Sequence, residues 1–395
     1  MATTSLPVYL DYAAATPVDE RVIKEMISCL SLEGTFANSA ARDHVYGWQA
    51  ADKVETARGQ VAELVGASPL EITFTSGATE SSNLAILGLA RALKEQGDPR
   101  RHLITSLIEH KAVLECCRYL ESHGYRVTWL TPLPDGSISP EQVAAALEED
   151  TFLVSVAEAN SVVGTISDVR AIARVCKARG VYFHTDMAQS AGYTGQVLKD
   201  SAIALASLTP EKLCGPKGVG ALYISRALKV PVAPLILGGG QERGLRSGTV
   251  ATHQVAGMGK AFEIMLKEGK SDYARLNALR DKLKQGLSAL GGVKVNGSEE
   301  HHLPGVLSVT FEGVEGRTLL PSLRGVAAST GSACSSASLT PSYVLKALGL
   351  SDADAFASVR LSLGRFTTEE EVDKVLDIFK KTLPGLRQAF SATGD

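Results

Sequence analysis

Between residues 70 and 255, short apolar runs alternate with helix-patterned segments almost without a break. Seven runs read as strands: EITFTSG (71–77), HLITSLIEH (102–110), YRVTWLTP (125–132), TFLVSVAEAN (151–160), VYFHTD (181–186), AIALASLT (202–209) and GALYIS (220–225). Between them, ATESSNLAILGLARAL, KAVLECCRYLES, SPEQVAAALEE and SDVRAIARVCKARG carry helical periodicity. Ser139 is placed to cap the third of these helices, and Gly180 to close the fourth. Parallel strands need long crossovers, and helices supply them. The alternation therefore predicts an α/β fold: a mostly parallel sheet with helices on both faces.

The pattern changes after about residue 256. A helix-rich stretch (MGKAFEIMLKEG, then ARLNALRDKLKQGLSAL) leads into two alternating segments, GVLSVTFEG and SVRLSLGR. A last amphipathic helix, TTEEEVDKVLDIFKKTL, opens with acids and ends with lysines, as the helix dipole prefers. The expected division is a large α/β domain over 16–255 and a small α+β domain formed by 1–15 and 256–395. A chain of 395 residues is long enough for both. Pattern alone does not place the first fifteen residues.

Charge and composition narrow the partners. The net charge is −3, so nothing argues for nucleic acid or an anionic membrane surface as a partner, and neither is expected. No apolar run reaches the length of a membrane span. The N-terminal stretch has neither a basic nor an apolar leader, so a cytoplasmic protein is expected, with an organelle matrix as the alternative. Six cysteines occur without a CxxC pair, so zinc is not expected and the thiols read as reduced. Most suit small core positions. Cys334 differs. It lies in STGSACSSASLTPSY (329–343), a run of small polar residues. A thiol on such a loop suits a nucleophile that visits a site and then withdraws.

In a parallel sheet, ligands bind beyond the carboxyl ends of the strands. Four groups fall at such ends. Thr75, Ser76, Gly77, Ala78, Thr79 and Glu80 join a strand to a helix and can cup an anion with backbone N–H groups. Alone, this reads more readily as a plain N-cap. Glu109 and His110 leave the next strand, where a histidine can move protons or stack, or simply sit satisfied. Asp186 and Gln189 follow in FHTDMAQS. A carboxylate there can hold a protonated ring nitrogen, as in pyridoxal phosphate enzymes, or form an Asx turn. Lys212, in TPEKLCGPKGVGALYI, can form a Schiff base if it is desolvated. Lys217, between Pro216 and Gly218, reads as solvated. Together these supply a phosphate cup, a ring partner, a pyridinium carboxylate and an amine along one sheet.

With YLDYAAATP, FTSGATESSNLAI, EHKAVLE, HTDMAQS, GPKGVGALYI, GGGQERGLRSGT, TGSACSSASLTPSYVLKALGL and SVRLSLGRFTTEEEVD, the chain resembles the group I cysteine desulfurases from about Tyr9 to Asp373. These are aminotransferase class V enzymes of pyridoxal 5'-phosphate (PLP) fold type I. The resemblance implies a seven-stranded sheet and L-cysteine as substrate. It implies PLP held on Lys212, with His110 against its ring, Asp186 at the pyridine nitrogen and Gln189 at the ring oxygen. Ala78, Thr79 and Thr209 match cofactor-binding positions. Thr249 matches a position that reaches the phosphate of a second subunit, which implies a homodimer. Arg360 and Asn160 match substrate-binding positions, Arg360 gripping the carboxylate. Cys334 would take the sulfur as a persulfide and leave alanine. A sulfur-acceptor protein follows, such as an iron–sulfur scaffold or a thiolation factor.

The chain also departs from the family pattern. Thr209-Pro210-Glu211-Lys212 stands for Ser-Gly-His-Lys, which sets an acid where the phosphate is expected. Ser161 replaces an asparagine, Cys214 an aromatic, and Asn38-Ser39-Ala40 an Asn-Pro-Ser turn. Met187 replaces an alanine packed under the ring, and its longer side chain is expected to crowd that face. Two further readings stay open on these grounds: a paralogue with weakened PLP binding that acts as an interaction protein, and a selenocysteine lyase-like activity.

Overall fold

The computed structural model describes residues 6–330 and 340–392. Cys334 lies outside them. Twelve strands occur among the described residues: β1 (Val8–Tyr9), β2 (Ile72–Thr75), β3 (His102–Ser106), β4 (Arg126–Leu130), β5 (Thr151–Ser155), β6 (Tyr182–Asp186), β7 (Leu205–Leu208), β8 (Gly220–Ile224), β9 (Val293–Asn296), β10 (Val306–Phe311), β11 (Val326–Ala327) and β12 (Ser358–Ser362).

Seven of them form one sheet in the order β2-β8-β7-β6-β5-β3-β4. From β7 through β4 every pairing is parallel, while β8 runs antiparallel to both of its neighbours. β3, β5, β6 and β7 are almost wholly buried, as strands between two helix layers are. Phe152 and Phe183 on β5 and β6 are fully buried, each worth about 2–3 kcal/mol relative to exposure. One helix layer packs Val54, Val61, Phe262 and Met265 against one face. The other packs Leu84, Leu89, Val113 and Cys117 against the opposite face.

Local signals set the helix ends. The helix Pro140–Ala146 starts at a capping box made by Ser139 and Gln142, with proline at its first turn. The helix Lys111–Ser122 is capped by His110, whose Nδ1 accepts from the Ala112 amide at 3.2 Å. Gly180 follows the helix Val169–Ala178 at φ 67°. The helix that begins at Ala78 passes through a π turn at Leu84–Gly88. At the end of that turn the Gly88 carbonyl accepts from the Ala233 amide at 3.1 Å.

A second core gathers Val8, Leu10, Leu283, Leu307, Phe311, Val359 and Phe379. It lies over a three-stranded antiparallel sheet, β12-β10-β9. The first residues therefore join the C-terminal part: β1 pairs in parallel with β11, and Asp11 bridges Ser362. The two helices expected between 258 and 290 are one helix of 37 residues, Thr252–Ser288. Gly269 does not break it, because a side chain there would meet Met265 at 2.9 Å. Close packing against that residue and the Gly192 carbonyl outweighs the low helix propensity of glycine. The helices Glu20–Ile27 and Val45–Val65 also went unread in the sequence.

β2 lies at one edge of the large sheet, and side chains rather than a strand cover that edge. Glu242 accepts from the Phe74 amide at 2.7 Å and pairs with Arg58 at 2.7 Å. Arg58 and Arg243 both donate to the Ile72 carbonyl. This fixes the strand that leads into the Ser76–Thr79 turn.

Candidate active site

The parallel strands and β2 end at one rim of the sheet, and the antiparallel β8 begins there. At that rim lies a cleft of about 500 Å³. Its walls include Ala78, Thr79, His110, Asn160, Asp186, Gln189, Thr209, Lys212 and Arg360. Nine positions separated by up to 282 residues in the chain are thus brought together. Thr249 is not among them. It is exposed, in a loop that the Arg246–Glu80 ion pair (2.9 Å) ties to the Ala78 helix.

Asp186 ends β6 with its carboxylate buried. Its Oδ1 accepts from the Ala188 amide at 2.9 Å. Among the described residues no cation lies within ion-pair distance of it. Burial pushes its pKa up, opposed by the Ala188 amide and by the charges of His110 and Lys212. A buried carboxylate without a cation suits a protonated ring nitrogen.

Lys212 emerges from the turn after β7. Its amine donates to the Ala14 carbonyl and lies 3.5 Å from Glu211 Oε1. Desolvation lowers its pKa, Glu211 opposes that shift, and Arg360 adds to it. Burial therefore favours the neutral amine, the form that can bond to a carbonyl carbon. Lys217 is exposed, as read. Glu211 lines the cleft and turns its carboxylate toward the lysine.

Met187 does not crowd the cleft. Its side chain is fully buried in the core with Ala57 and Phe262, and Ala188 lines the cleft instead. Successive side chains on an extended segment point to opposite faces. With Asp186 facing the cleft, Met187 has to face the helices. The expected clash was assigned to the wrong face of the chain.

Arg360, on β12, is buried. Nη1 donates to the Ser161 carbonyl at 2.9 Å and Nη2 to Asp11 Oδ1 at 2.6 Å, while Nε has no partner among the described residues. The Asn160 amide is spent on the backbone. It donates to the Ile108 carbonyl and accepts from the Val162 and Val163 amides at 2.8 and 3.1 Å. It thereby shapes the turn that presents Ser161 to Arg360. Gln189 donates to the Ala13 carbonyl at 3.0 Å.

Sequence reading missed the part played by Asp11 and by the state of Glu109. The sequence signal for Asp11 was its place in YLDYAAATP. Glu109, next to His110 in the chain, is buried, with Ser106 Oγ 2.5 Å from its Oε1 and the Ala157 amide 2.9 Å from its Oε2. Burial raises its pKa to about 8, helped by the charge of Asp186. Burial thus favours the uncharged acid at neutral pH.

The sign of the linkage follows. The folded state keeps this proton above the pH at which the unfolded chain has lost it, so Glu109 costs stability as pH rises from about 5 to about 8. Glu109→Gln is expected to flatten the decline of the thermal midpoint over that range. Parallel profiles for wild type and variant, by calorimetry, would contradict the assignment.

The described residues fit a PLP-sized ligand: a desolvated lysine, a buried carboxylate free of cations, and a turn of small residues opening a helix. Known proteins agree with this fit. The family description "Aminotransferase class-V" matches residues 8–375. "Cysteine desulfurase IscS" from Serratia proteamaculans (strain 568) is 50% identical over 382 residues, covering 97% of this chain and 94% of that protein. The solved structure "NIFS-LIKE PROTEIN" superposes with a TM-score of 0.87 at 37% identity, covering 96% of this chain and 100% of the other. "SspA in complex with cysteine" gives 0.80 at 39% identity, covering 91% and 99%. A cleft of this composition at the rim of this sheet, matched over nearly the whole chain, places the protein in the aminotransferase class-V family, within its cysteine desulfurase group.

Proposed function

We propose that this chain is a PLP-dependent cysteine desulfurase that converts L-cysteine to L-alanine and carries the sulfur as a persulfide on Cys334. The observation that carries this reading is the pairing, in one cleft, of the desolvated Lys212 with the cation-free buried Asp186.

Lys212 would hold PLP covalently, Asp186 its pyridine nitrogen and Gln189 its ring oxygen. The Ala78–Thr79 turn and Thr209 would hold its phosphate. Bound there, PLP supplies an electron sink for negative charge at the substrate carbon. His110, exposed at the cleft, would lie against the ring and move protons. Arg360 grips the substrate carboxylate, its fork aimed by Asp11 and the Ser161 carbonyl. Asn160 supports that grip through the turn it shapes. The Cys334 thiolate attacks the substrate sulfur. An S–S bond forms, the C–S bond breaks with its electron pair left on carbon, and a proton then completes alanine.

The division into 16–255 and 1–15 with 256–395 belongs to this proposal. The second core supports it, because Val8 and Leu10 pack there. So does a homodimer. Ile27, Leu30, Leu32, Phe36 and Trp48 stand exposed within one stretch of the chain, Leu32 at 71%, apolar surface that a second copy would cover. Thr249 would then complete the neighbour's phosphate site. The acceptor of the sulfur is a protein of iron–sulfur cluster assembly or thiolation. No helix among the described residues is long and apolar enough to cross a membrane, and the cytoplasm is the proposed compartment.

The test is to supply the purified protein with PLP, L-cysteine and a thiol reductant, and to measure alanine and sulfide. Equal amounts of both are expected, with selenocysteine competing only weakly. Selenocysteine turned over far faster would favour the lyase reading. No product from a protein that does bind PLP would sink both activities.

A further inference from the structure

The turn that carries Lys212 is held from outside by a residue 195 positions away from Glu211. Thr16 Oγ1 donates to the Glu211 carbonyl at 2.6 Å and accepts from the Cys214 amide at 3.1 Å. These two backbone groups flank Lys212. One hydroxyl uses its donor and an acceptor lone pair to join them. Among the described residues, each finds its hydrogen-bond partner in that hydroxyl.

The rest of the turn depends on this closure. Cys214 stands at φ 56°, a left-handed conformation unfavourable for a residue with a side chain. Its carbonyl accepts from the Asp19 amide at 2.9 Å, so the segment 16–19 grips it on both sides. On the inner side, the Leu213 and Gly215 amides both donate to the Pro210 carbonyl. Gly215 leaves no room for change, since a Cβ there would lie 2.5 Å from the Pro210 side chain. The lysine amine then points back to Ala14, two residues before Thr16.

We propose that Thr16 is the positioning residue that sets the direction and dryness of the Lys212 amine. This rests on Lys212 being the covalent anchor. Without the hydroxyl, the Glu211 carbonyl and the Cys214 amide lose their partners while buried, which a turn relieves by opening to water. An opened turn lets the amine reorient and become hydrated. A hydrated amine keeps its proton to higher pH.

The test uses full-length protein titrated with PLP. Thr16→Val keeps the side-chain shape and removes both hydrogen bonds, while Thr16→Ser keeps the hydroxyl. Three quantities are read: the dissociation constant from absorbance, the fraction of PLP fixed on Lys212 by borohydride, and the pH midpoint of that fixation. The valine variant is expected to bind at least about tenfold more weakly and to need a higher pH for fixation. The serine variant should stay within about threefold of wild type. A purely structural role would lower the thermal midpoint and leave the pH midpoint in place. Valine with the wild-type constant and pH midpoint overturns the proposal, whatever its thermal stability. Should valine not fold, Thr16→Ala gives the same three readings under the same criteria. A wild-type protein that fixes no PLP on Lys212 overturns the anchor itself, and is told apart because no variant is needed to see it.

Discussion

Lys212→Ala is expected to give a folded protein that fixes no PLP, with turnover down on the order of 10⁴-fold or more, the scale seen when a covalent group is removed. The lysine is partly buried at the rim of the sheet, and its removal leaves the Thr16 hydrogen bonds to the backbone intact. Fold and turn should therefore survive while the covalent anchor is lost. Borohydride treatment followed by peptide mapping reads this directly. A trapped adduct on the peptide containing Lys217 instead would move the anchor to the solvated lysine and contradict the burial argument.

The second large effect concerns the thiol. Cys334→Ala is expected to abolish persulfide formation and sulfide release, a loss again on the order of 10⁴-fold. PLP fixation on Lys212 should stay at the wild-type level, because the thiol acts on the bound substrate rather than on the cofactor. Mass spectrometry of the protein after exposure to L-cysteine would show wild type heavier by one sulfur atom and the variant unchanged. A persulfide at another cysteine would remove Cys334 from its role. Cys29, Cys116, Cys117, Cys176 and Cys214 are all buried. Burial pushes the Cys116 and Cys176 thiols up to about 12 and the Cys214 thiol up to about 11. None of these three carries much thiolate at neutral pH, so none is a ready substitute.

The two variants separate the anchor from the acceptor. The impaired-paralogue reading predicts a third pattern, in which wild type already lacks PLP. Glu211 was the sequence argument for that reading. In the structure its carboxylate faces the Lys212 amine, and the lysine pKa still falls because desolvation outweighs the acid. Met187 was the other argument, and it faces the core.

Strand–helix alternation was enough to read β2 to β8 and the helices between them, because a parallel sheet forces apolar strands and capped crossovers into a repeating pattern. The strand-end positions of His110, Asp186 and Lys212 followed from the same periodicity. What the pattern hid has a common cause. The 37-residue helix looked like two, because the stretch around Gly269 lacks an apolar stripe, while in the structure Gly269 packs against Met265 one turn earlier and against the Gly192 carbonyl. Met187 was assigned to the wrong side because the face of a residue beyond a strand end depends on where the strand stops.

The sequence by itself determined the sheet, the order of the site residues along it, and the kinship of the chain, since these rest on local periodicity and short motifs. Only the tertiary structure decided that the segment from Asp11 to Thr16 builds the site. Asp11 reaches Arg360 at 2.6 Å, and Thr16 reaches the Glu211 carbonyl at 2.6 Å. These hydrogen bonds join residues 349 and 195 positions apart. Such pairings leave no periodic trace in a sequence. They exist because β1 is drawn into the second core beside β11, and the chain leaving that strand has to cross the mouth of the cleft to reach the first helix.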